Sequence, residues 1–193
     1  RVTLSDTRPN ASVRVNNLGT EPVQVQAKVL RWTQRNGENI YEEAPEIITN
    51  PPLFRLNGSK SQLLRFGMLD PRPTEQERAY RIFLQEVPAP TRPSDGVQTL
   101  LRISLPIFIS GTATGKPGIT GRLIREDGRT VVELTNSGDV HVQVTRLEVL
   151  DRSGKVITDD RGSLYVLPGK AMQWPVTSLV TPSSPADRVQ LET

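Results

Sequence analysis

The chain has 193 residues, of which 35% are hydrophobic and 23% are charged, with no cysteine and a net charge of +3. This composition is too apolar for a disordered polyelectrolyte, and no run reaches the roughly 18 to 20 apolar residues of a membrane span. The lack of cysteine excludes disulfides and thiolate metal sites, and the small basic surplus, spread over both halves, argues against a nucleic-acid partner.

Apolar and polar residues alternate along several segments of the first half of the chain. The clearest runs lie at residues 12–16, 23–29 and 80–85. Side chains of a strand point alternately to its two faces, so this period predicts strands with one buried face. Turn pairs such as Asn36-Gly37 fall between the runs and are typical of hairpins. The length of the chain favours two such β domains of roughly 100 residues each.

Three prolines within residues 88–96 predict a loop, because proline has no amide hydrogen for a sheet ladder. The next segment, residues 97–109, has the longest alternation in the chain. One of its faces consists of Val97, Thr99, Leu101, Ile103, Leu105, Ile107 and Ile109. Pro106 on the other face predicts an edge strand. A long apolar edge promotes aggregation unless a partner or the protein's own core covers it, and both alternatives are open for this face.

Alternation resumes at residues 130–134 and 140–144, after a connection rich in Gly and Thr at residues 110–120. The phase then slips before Leu147, which predicts a β-bulge. No segment of more than about ten residues has the apolar spacing of a helix. We therefore predict an all-β fold of two sandwiches, with domains at residues 1–110 and 111–193.

The residues that could carry catalysis or bind a metal form no recognisable site. His141 is the only histidine and lies on the polar side of an alternating segment, which indicates a solvated position. The acidic clusters at residues 42–46 and 159–160 lack the ligand spacing of a calcium loop and fit solvated turns. We predict that the protein is not an enzyme and holds no metal or cofactor.

Three segments resemble the periplasmic chaperones of bacterial chaperone–usher pilus assembly. They are Asn-Pro-Pro-Leu-Phe-Arg-Leu at residues 50–56, Ser-Gln-Leu-Leu-Arg at residues 61–65, and residues 77–88, which end in Glu-Val-Pro. Arg8 stands where the family has an arginine near its first strand. The resemblance covers nearly all of residues 1–110. Leu-Thr-Asn-Ser-Gly at residues 134–138 and Tyr-Val-Leu-Pro-Gly at residues 165–169 resemble the second domain of the family.

The resemblance implies two immunoglobulin-like domains set at an angle, the first of which carries a donor strand. In this family the chaperone lends an edge strand to a pilin subunit that lacks one, a form of β-augmentation called donor-strand complementation. It implies pilin subunits and an outer-membrane usher as partners, and the periplasm as the location of a mature, signal-free chain. Self-association of the free form is a further expectation. The expected donor residues are Val97, Thr99, Leu101, Ile103 and Leu105.

The expected site for the carboxylate of the subunit departs from the family pattern. The family holds the subunit's C-terminal carboxylate with the first-strand arginine and a lysine on the donor strand, and Pro106 stands at the lysine position here. Arg102 on the same strand face and Lys116 in the following loop are the candidate replacements beside Arg8. Two cations would strengthen the hydrogen bonds to a carboxylate. Solvated surface is the alternative for both.

Two other classes of protein fit an all-β chain. A structural or adhesive surface module of tandem immunoglobulin-like or fibronectin-like domains is the main alternative, but it has no reason to leave a long apolar edge open. A carbohydrate-active or hydrolytic sandwich needs converging carboxylates and aromatic platforms, whereas the few aromatic residues here are spread along the chain. Strand exchange with a pilin peptide distinguishes the chaperone from the surface module.

Overall fold

In the computed structural model of the chain, the described residues are 1–88, 99–112, 115–126, 129–176 and 186–193. Their regular secondary structure consists of β-strands, and they form no helix long and apolar enough to span a membrane. The all-β prediction is confirmed. The chain divides into two compact units, Arg1–Trp32 with Tyr41–Thr112 and Thr33–Ile40 with Ala113–Thr193. The domain boundary after residue 110 stays a prediction.

The first unit is built from two sheets, with strands numbered in chain order. In spatial order the larger sheet contains β1 (Val2–Leu4), β9 (Arg102–Ile109), β8 (Arg78–Val87), β3 (Val23–Arg35) and β4 (Glu38–Glu43), and β6 (Leu53–Leu56) also pairs with β3. The smaller sheet contains β2 (Asn10–Asn16), β7 (Ser61–Met68) and β5 (Ile47–Asn50). Inner faces of both sheets supply one hydrophobic cluster, which makes this unit a sandwich.

The core of the first unit follows the alternation of its strands. On β8, Tyr80, Ile82 and Leu84 are buried, and on the paired strand β3 every second residue from Val25 to Val29 is buried. The predicted strands at residues 23–29 and 80–85 are therefore confirmed. Full burial of these aliphatic side chains stabilises the fold by about 1.5–3 kcal/mol each.

Glu46 has a structural role in the first unit and is not the solvated turn carboxylate that we predicted. Its Oε1 accepts a hydrogen bond from the hydroxyl of buried Tyr80 at 2.9 Å and pairs with Arg31 at 2.7 Å. Partial burial raises the pKa of Glu46, but the hydrogen bonds from Arg31 and Tyr80 outweigh it and hold the pKa below its ordinary value. The carboxylate of Glu46 therefore stabilises the first unit through its contacts with Tyr80 and Arg31.

The second unit also contains two sheets that share one hydrophobic cluster. One contains β10 (Ile119–Glu126), β11 (Arg129–Asn136) and β14 (Ala171–Pro175), and the other contains β13 (Val156–Val166), β12 (Val142–Asp151) and β15 (Ala186–Glu192). The register between β12 and β13 shifts between Val144 and Arg146. The predicted bulge is confirmed, because this shift is what returns Leu147 and Val149 to the buried face.

Buried Asn136 explains why the Leu-Thr-Asn-Ser-Gly motif of the second unit carries an asparagine. Its Nδ2 donates to the carbonyl oxygens of Val140 and Val166 at 2.8 and 2.9 Å, and its Oδ1 accepts from the amide of Gly138 at 2.9 Å. The side chain thereby hydrogen-bonds two backbone groups of the loop after β11 and the carbonyl at the end of β13. The motif has a structural role in closing the turn after β11.

The acidic clusters lie mainly in strands, which corrects the prediction of solvated turns. Glu43 lies in β4 and pairs with Lys28 at 2.6 Å, and Asp159 lies in β13 and pairs with Arg146 through both carboxylate oxygens at 2.8 Å. Cross-strand cations neutralise these carboxylates and so make strand positions acceptable for them. The hydrogen bonds from Arg146 lower the pKa of Asp159.

Two local predictions had different outcomes. Asn36 and Gly37 have φ of 53° and 75° between the end of β3 and the start of β4, so the predicted hairpin turn is confirmed. His141 is partly buried and lies 5.9 Å from the ring of Tyr165, so it is less exposed to solvent than predicted. It lies just before β12, and the ring of Tyr165 beside it is tilted by 36°.

Candidate functional site

The strand β9 is paired along its whole length on one side and only at its C-terminal end on the other. It runs antiparallel to β8 from Arg102 opposite Gln85 to Ile109 opposite Arg78. On its outer side the parallel strand β1 pairs only with the last three residues, 107–109. Within the described part of the chain, no strand pairs with the outer side of residues 102–106. We call these five positions the free edge.

The backbone groups that the free edge presents follow from the ladder. The amide of Glu86 donates to the carbonyl of Leu101 at 2.9 Å, which makes these two residues a hydrogen-bonded pair. Such pairs alternate along an antiparallel ladder, so Ile103 and Leu105 also bond to β8. Arg102 and Ser104 therefore direct both their N–H and C=O groups outward. Pro106 directs only a carbonyl outward, since its nitrogen carries no hydrogen.

The apolar face of β9 leaves the protein core along its length. Ile107 and Ile109 are fully buried, and Leu105 packs against the same cluster while partly exposed. Ile103 is 43% exposed, and Leu101, just before the strand, is 60% exposed. The same row of side chains thus contributes to the core at one end and is available for contact at the other. The two alternatives, cover by the protein's own core and cover by a partner, therefore each fit one part of the strand: the core covers Ile107 and Ile109, and a partner could cover Leu101 and Ile103.

The strand is shorter than the alternation predicted. We predicted a strand over residues 97–109, but β9 begins at Arg102, and Thr99 and Leu101 precede it. Before Arg102 one backbone bond, from the amide of Glu86 to the carbonyl of Leu101, continues the ladder among the described residues, and the amide of Leu101 turns to the Glu86 side chain instead. Val97 lies outside the described residues.

Arg8 and Arg102 lie at opposite ends of the strand pair β1 and β9. Arg8 closes a turn with Ser5 through two backbone hydrogen bonds of 3.1 Å, and this turn follows Leu4, which pairs with Ile109. Arg102 begins β9, about 23 Å away from Ile109 at the usual rise of a strand. The structure therefore does not bring Arg8 and Arg102 together, and a single carboxylate is too small to contact both.

Each predicted cation has a different local environment. Arg8 is exposed, and its guanidinium has no hydrogen-bond or ion-pair partner among the described residues. The guanidinium of Arg102 lies 4.5 Å above the ring of Phe83, a cation–π contact that stabilises the outer face of the sheet. Lys116 is exposed and belongs to the second unit, where its carbonyl accepts from the amide of Asp139 at 3.1 Å.

Sequence reasoning missed two features beside the free edge. One is the outward direction of the backbone groups of Arg102 and Ser104, which depends on the register with β8. The other is Glu86, which we noted only as part of a family-like exit motif. Its carboxylate accepts a hydrogen bond of 3.4 Å from the amide of Leu101. Glu86 is two residues after Leu84, so the alternation alone already indicated that both side chains lie on the inner face of β8.

Residues 1–114 match the family model described as pili and flagellar-assembly chaperone, PapD N-terminal domain. The chain belongs to this family. The resemblance seen in the sequence is confirmed, and the match favours an assembly chaperone over the structural or adhesive module. No curated protein matches the chain.

Several solved structures share the fold. A chain of the CsuC–CsuE chaperone–tip adhesion subunit pre-assembly complex from archaic chaperone–usher Csu pili of Acinetobacter baumannii is 21% identical, with a TM-score of 0.74 over 98% of this chain and 93% of that chain. The E. coli chaperone DraB is 23% identical, with a TM-score of 0.65 over 99% and 85%. A chain of the complex of Salmonella enterica SafA pilin with the SafB chaperone is 21% identical, with a TM-score of 0.63 over 93% and 81%.

Proposed function

We propose that this protein is a periplasmic chaperone that binds pilus subunits along the free edge and delivers them to an outer-membrane usher, without catalysis or a cofactor. The observation that carries the proposal is the unpaired outer side of residues 102–106, directly beside exposed Leu101 and Ile103. Two structures of the same fold are complexes of a chaperone with a tip adhesion subunit and with a pilin. They support a pilin as the partner.

Binding at the free edge combines backbone and side-chain contacts. A subunit strand beside β9 pairs with the N–H and C=O groups of Arg102 and Ser104, while Leu101, Ile103 and Leu105 fill apolar pockets of the subunit. Because these side chains are already partly covered, burial of the remainder of each contributes about 1 kcal/mol, a fraction of the roughly 1.5–3 kcal/mol of full burial. In the proposal Val97 and Thr99 extend this row. The same edge would support self-association of the free form, which stays a prediction.

Pro106 limits the paired region at the C-terminal side. An incoming carbonyl opposite Pro106 finds no N–H donor, and the next residues of β9 are already paired with β1. Strand addition is therefore confined to the part of the chain before Pro106. A lysine at this position could not be replaced by Arg102, which lies at the other end of the free edge.

Backbone hydrogen exchange tests strand addition at the free edge directly. We expect the amides of Arg102 and Ser104 to exchange rapidly in the free protein and to become protected in a 1:1 complex with a pilin subunit encoded beside it. The amides of Ile103 and Leu105 already bond to β8 and should be protected in both states. Residue-resolved exchange by NMR measures all four. A complex that leaves Arg102 and Ser104 unprotected would contradict the proposal.

Arg8 is proposed to bind the C-terminal carboxylate of the subunit. Arg8 follows β1, and β1 lies beside the C-terminal end of β9. A subunit strand whose carboxyl end reaches Arg8 therefore runs parallel to β9. Lys116 remains the proposed second cation, and Arg102 is too far along the strand for this role.

We expect Arg8→Ala to weaken subunit binding about 10-fold to 100-fold, because a hydrogen bond to a charged group contributes about 1.5–3 kcal/mol. Isothermal titration with a purified subunit measures the loss. Arg55→Ala, which removes an exposed arginine from β6, serves as the matched control and should bind normally. Equal affinities of the two variants would rule out Arg8 as the anchor.

A further inference from the structure

A cavity of about 300 Å³ opens where the apolar face of β9 leaves the core of the first unit. Its walls come from both sheets of the sandwich and are mostly apolar. The side chains that form them include Val15, Val25, Leu56, Leu84, Leu101 and Ile103. The volume is at the lower end of the range for ligand pockets and suits one long side chain. Because Leu101 and Ile103 line it, the cavity is continuous with the free edge.

Among the described residues that line this cavity, Glu86 is the only charged one. It lies on the same face of β8 as buried Leu84 and Ile82, two and four positions earlier, so its side chain is directed between the sheets. Among the described residues its carboxylate accepts one long hydrogen bond, 3.4 Å from the amide of Leu101. A carboxylate can accept about four, so most of its capacity is available to a ligand.

Two residues at the rim of the cavity are Asn17, whose side-chain amide already forms hydrogen bonds within the protein, and Leu18, whose side chain is exposed. Asn17 donates to the carbonyls of Glu21 and Leu56 at 2.7 and 3.2 Å and accepts from the amide of Gly19 at 3.0 Å. Leu18 is 93% exposed beside it. Asn16 is a further polar residue of the lining, so among the described residues Glu86 supplies the charge and not all of the polar surface. Leu18 adds an apolar contact at the mouth.

We propose that the cavity binds a lysine or arginine side chain from the segment that adds to the free edge. The aliphatic stem packs on Leu18, Leu101 and Ile103, and the cationic group reaches the carboxylate of Glu86. An uncharged side chain in the same place would cover Glu86 and leave its charge desolvated without a partner, which is unfavourable. The inference rests on the proposed function and adds one side-chain requirement to the partner.

The register of the added strand determines which of its residues enters the cavity. Every second side chain of a strand beside β9 lies on the inner face, in line with Leu101 and Ile103. A cation on the opposite face, or on the inner face away from Glu86, cannot enter. The requirement therefore applies to one position of the partner segment.

A host–guest peptide series tests the cavity with the full chain. The host is a short extended peptide with valine at alternate positions, and the guest, lysine, methionine or glutamate, is moved along it. We expect one position at which the lysine peptide binds about tenfold more tightly than the methionine peptide in calorimetry, with the glutamate peptide weakest. Added salt should reduce this preference.

Substitution of Glu86 identifies the group responsible. Glu86→Gln keeps the size and one acceptor oxygen of the side chain, and we expect it to abolish the preference for lysine. Glu42→Gln changes an exposed carboxylate on β4 and should retain the preference. If Glu86→Gln unfolds in a thermal melt, Glu86→Asp replaces it and should reduce the preference.

The outcomes separate this inference from the proposed function. A lysine preference that persists in the Glu86 variant, or equal binding of lysine and methionine peptides to the unchanged protein, overturns the cation site while strand addition stands. If neither a peptide nor a purified pilin subunit protects the amides of Arg102 and Ser104 from exchange, both the cation site and strand addition fail.

Discussion

Replacement of Leu101 and Ile103 together by aspartate is expected to weaken capture of pilus subunits by at least about 100-fold while the protein remains folded. Both side chains are largely exposed, at 60% and 43%, so the core loses little. Burial of the exposed part of each side chain contributes about 1 kcal/mol, a fraction of the roughly 1.5–3 kcal/mol of full burial. The larger share of the loss comes from the new charges, which would be desolvated in an apolar groove. Affinity for a purified subunit and the yield of a 1:1 complex measure the effect.

The matched control places the same charges on exposed apolar residues elsewhere in the first unit. Leu53 and Leu69 are 50% and 60% exposed and lie outside the free edge. We expect Leu53→Asp with Leu69→Asp to bind subunits normally and to unfold at nearly the same temperature as the Leu101 and Ile103 variant. Normal capture by that latter variant would show that subunits bind at another surface.

The Ile107→Ala variant is expected to lower the free energy of unfolding by about 3 kcal/mol, within the usual range of 2–5 kcal/mol for such core truncations. Ile107 has no exposed surface and packs in the cluster shared by the two sheets of the first unit. Its removal leaves a cavity that the surrounding strands cannot fill completely. Urea denaturation followed by circular dichroism measures the loss.

Ile103→Ala provides an internal comparison, because the two isoleucines lie on the same face of the same strand, four positions apart. Ile103 is 43% exposed, so we expect a loss of less than about 1 kcal/mol in stability and a clear loss in subunit binding. Equal losses of stability in the two variants would mean that Ile103 belongs to the core and is not available to a partner.

The strands themselves were predictable because their alternation reports burial. Val25, Val29, Tyr80 and Ile82 lie at the alternating positions that the sequence singled out, and all four are buried. The hairpin at Asn36 and Gly37 was predictable as well, since few other residues adopt the positive φ that this turn requires. The family was recognised from short motifs of the first half, which the matching family model then confirmed.

The candidate site was less predictable, because it depends on which strand lies beside which. The alternation continues from Leu101 to Ile109 without a break. The edge is nevertheless divided, because β1 pairs with residues 107–109 and leaves residues 102–106 without a partner strand among the described residues. Arg102 was a reasonable substitute for the missing lysine on one strand face. Its distance from Arg8 became clear only from the parallel register of β1 with β9.

The sequence by itself determined the all-β class, the positions of most strands and the apolar row of β9, since these depend on the chemistry of residues close together in the chain. The tertiary structure decided where that row leaves the core, which backbone groups of Arg102 and Ser104 point outward, and that Glu86 lines a cavity beside Leu101. The physical reason is that burial, ladder pairing and the environment of a charge are set by neighbours distant in sequence, which local alternation does not record.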